Sequence, residues 1–133
     1  MLPGPVRFQT EQDPRSALRV PRPIDILPLQ TAPSIAFTAR DDADFQIEHL
    51  VATNVTGVST FVTVNLVPAA GSAATANIIV FQRVVPASSG VTIFNRENMG
   101  FMQPGSTLRA LCGVNDAVNL WGYGYDYQGV YSG

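Results

Sequence analysis

The chain has 133 residues and a formal net charge of −2, and 46% of its residues are hydrophobic while only 14% are charged. Charged residues make up about 25% of typical soluble chains, so we expect much of this surface to be covered by copies of itself or by partners. All eight basic residues are arginine. They do not form a basic patch among aromatic side chains, so nucleic acid is not an expected partner. No apolar run approaches the roughly 18 residues needed to span a membrane, so a membrane is not an expected partner either.

Residues 1–33 are the first predicted unit, an extended proline-rich N-terminal arm. Seven of the ten prolines lie there. Proline fixes φ, lacks a backbone donor and restricts the residue before it, which excludes a long helix and a central strand. Apolar and arginine side chains lie between the prolines. We therefore expect the arm to lie on another protein surface, where its apolar side chains are buried and its arginines pair with carboxylates. The predicted contact residues are Phe8, Arg15, Leu18, Arg19, Val20, Arg22, Ile24, Ile26 and Leu27.

Residues 34–133 are the second predicted unit, a compact β module. Alternating or β-branched runs separated by turns indicate six or seven short strands, the first of which is alternatively the end of the arm. No segment predicts a full helix, and residues 95–99 form at most one turn. We therefore expect an all-β fold, a small antiparallel β-sandwich or jelly roll. The predicted strands are Ser34–Arg40, Phe45–Asn54, Ser59–Val67, Ile78–Val85, Val91–Phe94, Thr107–Cys112 and Ala117–Tyr127.

The last predicted strand carries an aromatic residue at every second position, Trp121, Tyr123, Tyr125 and Tyr127. Side chains two residues apart lie on one face of a strand, so these rings share a face. Gly122 and Gly124 then line the opposite face, where another backbone can approach closely. The row is a protein contact surface, a platform for sugar rings, or a lid over the domain's own core. These three roles stay open on the sequence alone.

Candidate catalytic and metal-ligating residues are sparse. His49 is the sole histidine and lacks the three or four ligands of a zinc site, and no spacing supports a Ser–His–Asp arrangement around it. Asp41, Asp42 and Asp44 lack the glycine and distal glutamate of a calcium loop, which favours a solvated turn. Cys112 has no intrachain partner and is expected to be a small buried hydrophobe. We therefore expect no catalytic residue, no cofactor and no metal, and hence no enzyme.

Residues 47–126 resemble a small β-sandwich module of tailed-bacteriophage structural proteins that occurs in head-fibre, decoration and tail-fibre contexts. The resemblance consists of turn chemistry and strand alternation. One strand ends in a turn, the next ends before a Gly-Ser-Ala loop, and a Pro-Gly-Ser turn precedes a later strand. The segments that carry it are Thr53–Gly57, Leu66–Pro68, Asn77–Ile79, Pro104–Ser106 with Leu108–Ala110, and Ala117–Leu120 with Gly122–Gly124.

A proline-rich arm before a compact β module resembles head-decoration, or cement, proteins. The resemblance implies a non-enzymatic virion protein, assembled in the host cytoplasm as a homotrimer. Its partners would be other copies of the chain and the major capsid protein or other virion proteins, with the arm as its anchor. The alternative is a collar, fibre or tail component that binds a glycan or receptor through the aromatic strand. If the protein is instead a decoration protein anchored by its arm, deleting residues 1–33 should abolish attachment and leave the module folded.

Overall fold

The computed structural model describes residues 19–95 and 100–128. These ranges hold nine strands and one short 3-10 turn, Thr75–Asn77, and they contain no α-helix. The strands are β1 Arg19–Pro28, β2 Ser34–Thr38, β3 Ala43–Asn54, β4 Thr60–Val67, β5 Ile78–Val85, β6 Gly90–Phe94, β7 Gly100–Met102, β8 Thr107–Cys112 and β9 Val118–Gln128.

The strands form two antiparallel sheets. The five-stranded sheet has the order β1-β9-β3-β6, with β7 also paired with β3, and the four-stranded sheet has the order β2-β8-β4-β5. This is the strand order of a jelly roll in which the strand between β5 and β8 is split into β6 and β7. The predicted all-β sandwich is therefore confirmed. None of the described residues forms a helix long and apolar enough to cross a membrane.

The core lies between the sheets and is built from alternate residues of each strand. Phe45, Ile47 and Leu50 of β3 face Val62 and Val64 of β4, and all five are fully buried. Burial of one such side chain stabilises the fold by about 1.5–3 kcal/mol. Cys112 joins this core as a free thiol with 1% exposure, as predicted.

A bulge in β3 changes which side chains face outward. The register between β3 and β9 shifts between Ile47 and His49. Before the bulge odd-numbered residues such as Ile47 are buried, and after it even-numbered residues such as Leu50 are buried. A bulge inserts one extra residue and re-aims those that follow. His49 is thereby turned out of the core onto the outer face of the five-stranded sheet.

Seven of the nine strands were predicted from the sequence, with ends within two residues of those observed. The three-residue strand β7 was missed because it is too short to show alternation. The single helical turn predicted for residues 95–99 lies almost entirely outside the described residues.

The predicted boundary between residues 33 and 34 is wrong. β1 pairs with β9 from Arg19 opposite Tyr127 to Pro28 opposite Asn119, so residues 19–33 belong to the sandwich. The expectation that proline excludes a central strand nevertheless holds, because β1 is an edge strand. Proline is tolerated where its missing donor faces the unpaired side of an edge strand.

Candidate functional site

We define the aromatic face as the outer surface of β9, formed by Trp121, Tyr123, Tyr125 and Tyr127. The four rings share one side of the strand, as predicted. Trp121 is 38% exposed, Tyr123 is 41% exposed and the other two are half-buried. None of the four belongs to the buried cluster between the sheets. The alternative that this row closes the domain's own core is therefore wrong.

Two glycines on the inner side of β9 set the position of the aromatic face. A Cβ atom on Gly122 would collide with the carbonyl oxygen of His49. A Cβ atom on Gly124 would collide with the carbonyl oxygen of Gln46 and would come within 2.5 Å of the Phe45 ring. The predicted close backbone approach is thus confirmed. It lets β9 lie against the bulged part of β3 and present its rings outward.

His49 lies beside the two most exposed rings. Its ring centroid is 5.9 Å from that of Trp121, in an edge-to-face arrangement, and 5.7 Å from that of Tyr123. Aromatic pairs at this separation attract each other beyond their area of burial. Among the described residues, no group of three His, Cys, Asp or Glu side chains could hold a metal ion. The imidazole is placed to orient neighbouring rings.

The other end of the aromatic face carries a stacked arginine. The Arg19 guanidinium lies 4.2 Å from the centroid of the Tyr125 ring. The Tyr127 hydroxyl donates a hydrogen bond of 3.0 Å to Oε1 of Gln46. A hydrogen bond with the Tyr127 side chain raises the pKa of Arg19 above its ordinary value. The guanidinium places a positive charge at this edge of the face.

Prolines of β1 extend the apolar surface beside the rings. Pro21 is directly opposite Tyr125 and Pro23 is directly opposite Tyr123. Residues directly opposite each other in an antiparallel pair share a face. Both prolines are exposed. With His49 of β3, the aromatic face is therefore a surface of rings from three strands, rather than the single row that the sequence pattern predicts.

Arg22 is bound within its own domain, contrary to the prediction that it pairs with a partner's carboxylate. Its Nη1 atom lies 3.4 Å from Oδ2 of Asp126, whose residue is fully buried. The guanidinium also lies over the Phe37 ring, 4.7 Å from its centroid. A buried carboxylate left without a cation is strongly destabilising. Arg22 therefore serves to hold β1 against β9.

The remaining arm candidates divide by burial. Ile24 is 2% exposed and packs in the core, so its prediction as a contact residue is wrong for the single chain. Leu27 is partly buried against the same core. Val20 is 42% exposed and Ile26 is 68% exposed, so both are available to a partner. The last three candidates, Phe8, Arg15 and Leu18, lie outside the described residues.

The acidic segment before β3 is a surface turn. Arg40 Nε lies 3.0 Å from Oδ1 of Asp42, and both side chains are well exposed. The hydrogen bond from Arg40 holds the pKa of the Asp42 carboxyl below its ordinary value. The solvated-turn prediction agrees with the structure for Asp41 and Asp42, whereas Asp44 lies in β3 opposite Tyr127.

Sequence reasoning missed three contributors to the aromatic face: His49, Pro21 and Pro23. The bulge that turns His49 outward leaves no composition signal in an otherwise alternating strand. The prolines were assigned to an arm because their spacing of two residues was not recognised as the mark of an edge strand. That spacing was the available signal, since it removes donors along one side only.

Comparison with known proteins identifies the fold. No family model matches the sequence, and no curated protein matches it. The structure is similar to that of a subunit of Bacillus endospore appendages, described as a novel family of disulfide-linked pili, with a TM-score of 0.50 and 14% sequence identity. The match covers 83% of this chain and 88% of the other. At this identity the likeness establishes a shared β-sandwich fold.

Proposed function

We propose that the protein is a non-enzymatic structural subunit that assembles in many copies, with the aromatic face as a contact surface. The observation that carries this proposal is the outward placement of Trp121 and Tyr123, which are 38% and 41% exposed. The cores of protein interfaces are enriched in Trp, Tyr and Arg and depleted in Lys. The chain as a whole contains no lysine.

The aromatic face is arranged before any partner binds. Arg19 stacks on Tyr125, Tyr127 is hydrogen-bonded to Gln46, and His49 packs on the two exposed rings. Side chains held in place lose less conformational entropy on association. A pre-ordered cluster of this kind supports tight contact from a small area, which suits a subunit that covers or builds a larger particle.

The specific role that we propose is that of a capsid decoration, or cement, protein on a virion. The basis is the resemblance of residues 47–126 to modules of phage structural proteins. Residues 1–18 precede the sandwich and hold the arm candidates Phe8, Arg15 and Leu18. In this proposal they anchor the subunit to the major capsid protein, and the sandwich forms a homotrimer.

Assembly of this chain would be non-covalent. The similar fold found in endospore appendages belongs to disulfide-linked pili. Here the single cysteine, Cys112, is 1% exposed, and its Sγ lies 2.9 Å from the carbonyl oxygen of Val114. A thiol inside the core is not placed to join two subunits, so ring packing and hydrogen bonds would hold the copies together.

Replacing the two exposed rings tests the proposed contact. The Trp121→Ser/Tyr123→Ser double variant should weaken association through the aromatic face by roughly 1,000-fold, because truncating each of two interface hot spots costs about 2 kcal/mol and every 1.4 kcal/mol is tenfold. Both side chains point away from the core, so the thermal midpoint should change little. Sedimentation velocity over a concentration series measures the association. Val58→Ser is the control, since Val58 is 71% exposed on a loop. An unchanged assembly in the double variant would contradict the proposal.

Glycan binding is the second candidate function, and the polar rim of the same face favours it. Asn119 lies on the same side of β9 as Trp121, and Thr53 is directly opposite Asn119. Rings beside amide and hydroxyl groups are suited to stacking a sugar and hydrogen-bonding its hydroxyls. Since Trp121 is the sole tryptophan, its fluorescence reports binding directly. Titration with lipopolysaccharide and with chitin oligosaccharides should shift the emission saturably, and the Tyr123→Ser variant, which keeps Trp121, should respond more weakly. If the tryptophan emission does not change during either titration, the aromatic face does not bind these glycans.

A further inference from the structure

The outer edge of β5 is an open strand edge. β5 is the last strand of the four-stranded sheet, and within residues 19–95 and 100–128 no strand pairs with its other side. Such an edge exposes a row of backbone N–H and C=O groups that can accept another strand. Proteins usually block it with Lys, Pro or a bulge. The sequence of β5, Ile78–Val85, contains neither lysine nor proline.

The two edge strands β1 and β5 differ in the residues that protect their unpaired sides. β1 carries three prolines, Pro21, Pro23 and Pro28, which remove backbone donors along its length. β5 instead exposes apolar side chains, with Ile79 at 40% and Phe81 at 68%. An edge that combines free backbone groups with exposed apolar side chains is a predicted pairing site.

A bulge limits the regular part of this edge. Gln82 has a φ of 49°, and its N–H donates to Oγ1 of Thr63 over 3.0 Å. The register with β4 is irregular around this point. The extended backbone available to a new strand is therefore the segment from Ile78 to Phe81, which includes both exposed apolar residues.

We propose that β5 pairs with β5 of a second copy of this chain, antiparallel across a two-fold axis, so that two four-stranded sheets become one of eight strands. A two-fold contact brings the same surface patch of both subunits together. With the axis at Val80, Ile79 of each copy lies opposite Phe81 of the other, and this aromatic–β-branched pair is a favourable cross-strand combination.

The charges of β5 favour this register. Arg83 is the only charged residue in the strand. It lies beyond the bulge at Gln82, so with the axis at Val80 the two guanidinium groups lie at opposite ends of the paired segment and do not face each other. A second copy fits because the edge requires an extended backbone of low charge and an identical strand supplies one. This contact uses the four-stranded sheet and does not depend on the aromatic face.

Two charge substitutions and one matched control test the pairing in the full-length chain. Ile79→Lys and Phe81→Lys should each raise the dimer dissociation constant at least tenfold, because a lysine on an edge strand opposes pairing. Val114→Lys, at a residue that is 57% exposed on the loop after β8, should leave it unchanged. Sedimentation velocity gives the constants, and circular dichroism checks that each variant is folded.

Cross-linking tests the register and separates this contact from the others. The Ile79→Cys/Phe81→Cys variant should form an interchain disulfide under mild oxidation, whereas Val114→Cys should not. The Trp121→Ser/Tyr123→Ser variant should still form the β5 dimer. The pairing is overturned if the two lysine variants associate like the unaltered chain, or if the cross-link forms only after residues 2–18 are deleted, which would show that the arm occupies this edge in the intact chain. Either result would contradict the β5 pairing alone, and the proposed contact through the aromatic face would still stand.

Discussion

Deletion of residues 1–33 should yield a chain that no longer folds cooperatively, whereas deletion of residues 2–18 should leave the sandwich intact. The longer deletion removes β1 and with it Ile24 and Leu29, which are 2% and 0% exposed. Loss of two buried side chains costs about 3–6 kcal/mol, at about 1.5–3 kcal/mol each. The longer deletion also removes Arg22, the ion-pair partner of Asp126. Breaking a buried ion pair costs about 3–5 kcal/mol. We expect the lower end of that range, because the Arg22 side chain is 32% exposed.

These losses are comparable with the whole stability of a small domain, which is about 5–15 kcal/mol. Urea unfolding of the two truncated chains, followed by the fluorescence of Trp121, provides the measurement. The shorter deletion should keep a single sharp transition near that of the intact chain. If the chain lacking residues 1–33 unfolds with the same midpoint, β1 is dispensable and the described pairing does not contribute to stability.

The same two deletions separate folding from attachment. The chain lacking residues 1–33 does not test the arm, because its failure to bind shells would reflect an unfolded module. Only the chain lacking residues 2–18 tests whether the remaining arm anchors the subunit to capsid shells. Under the proposed function it should fold, self-associate and fail to bind shells in a co-sedimentation assay. Retained binding would assign the anchor to the sandwich itself.

Gly122→Ala should strongly lower the stability of the fold, because the nearest atoms that the added methyl group would meet belong to the backbone of a neighbouring strand. The new Cβ would collide with the carbonyl oxygen of His49 and come within 3.0 Å of the Leu50 Cα atom. Both atoms belong to the backbone of β3, which pairs with β9 on one side and with β6 and β7 on the other. Overpacking typically costs about 1–3 kcal/mol, and we expect the upper end because a paired strand cannot move aside.

Thermal unfolding measures this effect. A loss of about 3 kcal/mol should lower Tm by roughly 10 °C or more in a domain of this size. Gly57→Ala is the matched control, since a Cβ there would meet no atom within 4 Å. Because the added methyl group pushes β9 away from β3, the variant should also weaken association through the aromatic face. A Tm equal to that of the control would mean that β9 does not lie as close to β3 as described.

The amino-acid sequence by itself determined the fold class, most strand positions and the aromatic row. Period-two alternation identifies a strand such as β4 without knowledge of its neighbours, because the pattern follows from the strand's own geometry. The spacing of Trp121 and Tyr123 places both rings on one face for the same reason. Low charge and the lack of lysine indicated a surface made for contact.

Tertiary structure alone decided where the proline-rich segment lies and which side of β9 faces solvent. The same extended segment, residues 19–28, suits an external arm or an edge strand equally well, because proline restricts the backbone without choosing its neighbour. The choice depended on a long-range pair, Arg22 with Asp126, whose partners are 104 residues apart. Likewise the bulge before His49 is defined only by register against β9. Contacts of this kind depend on how the sheets close, which no local pattern records.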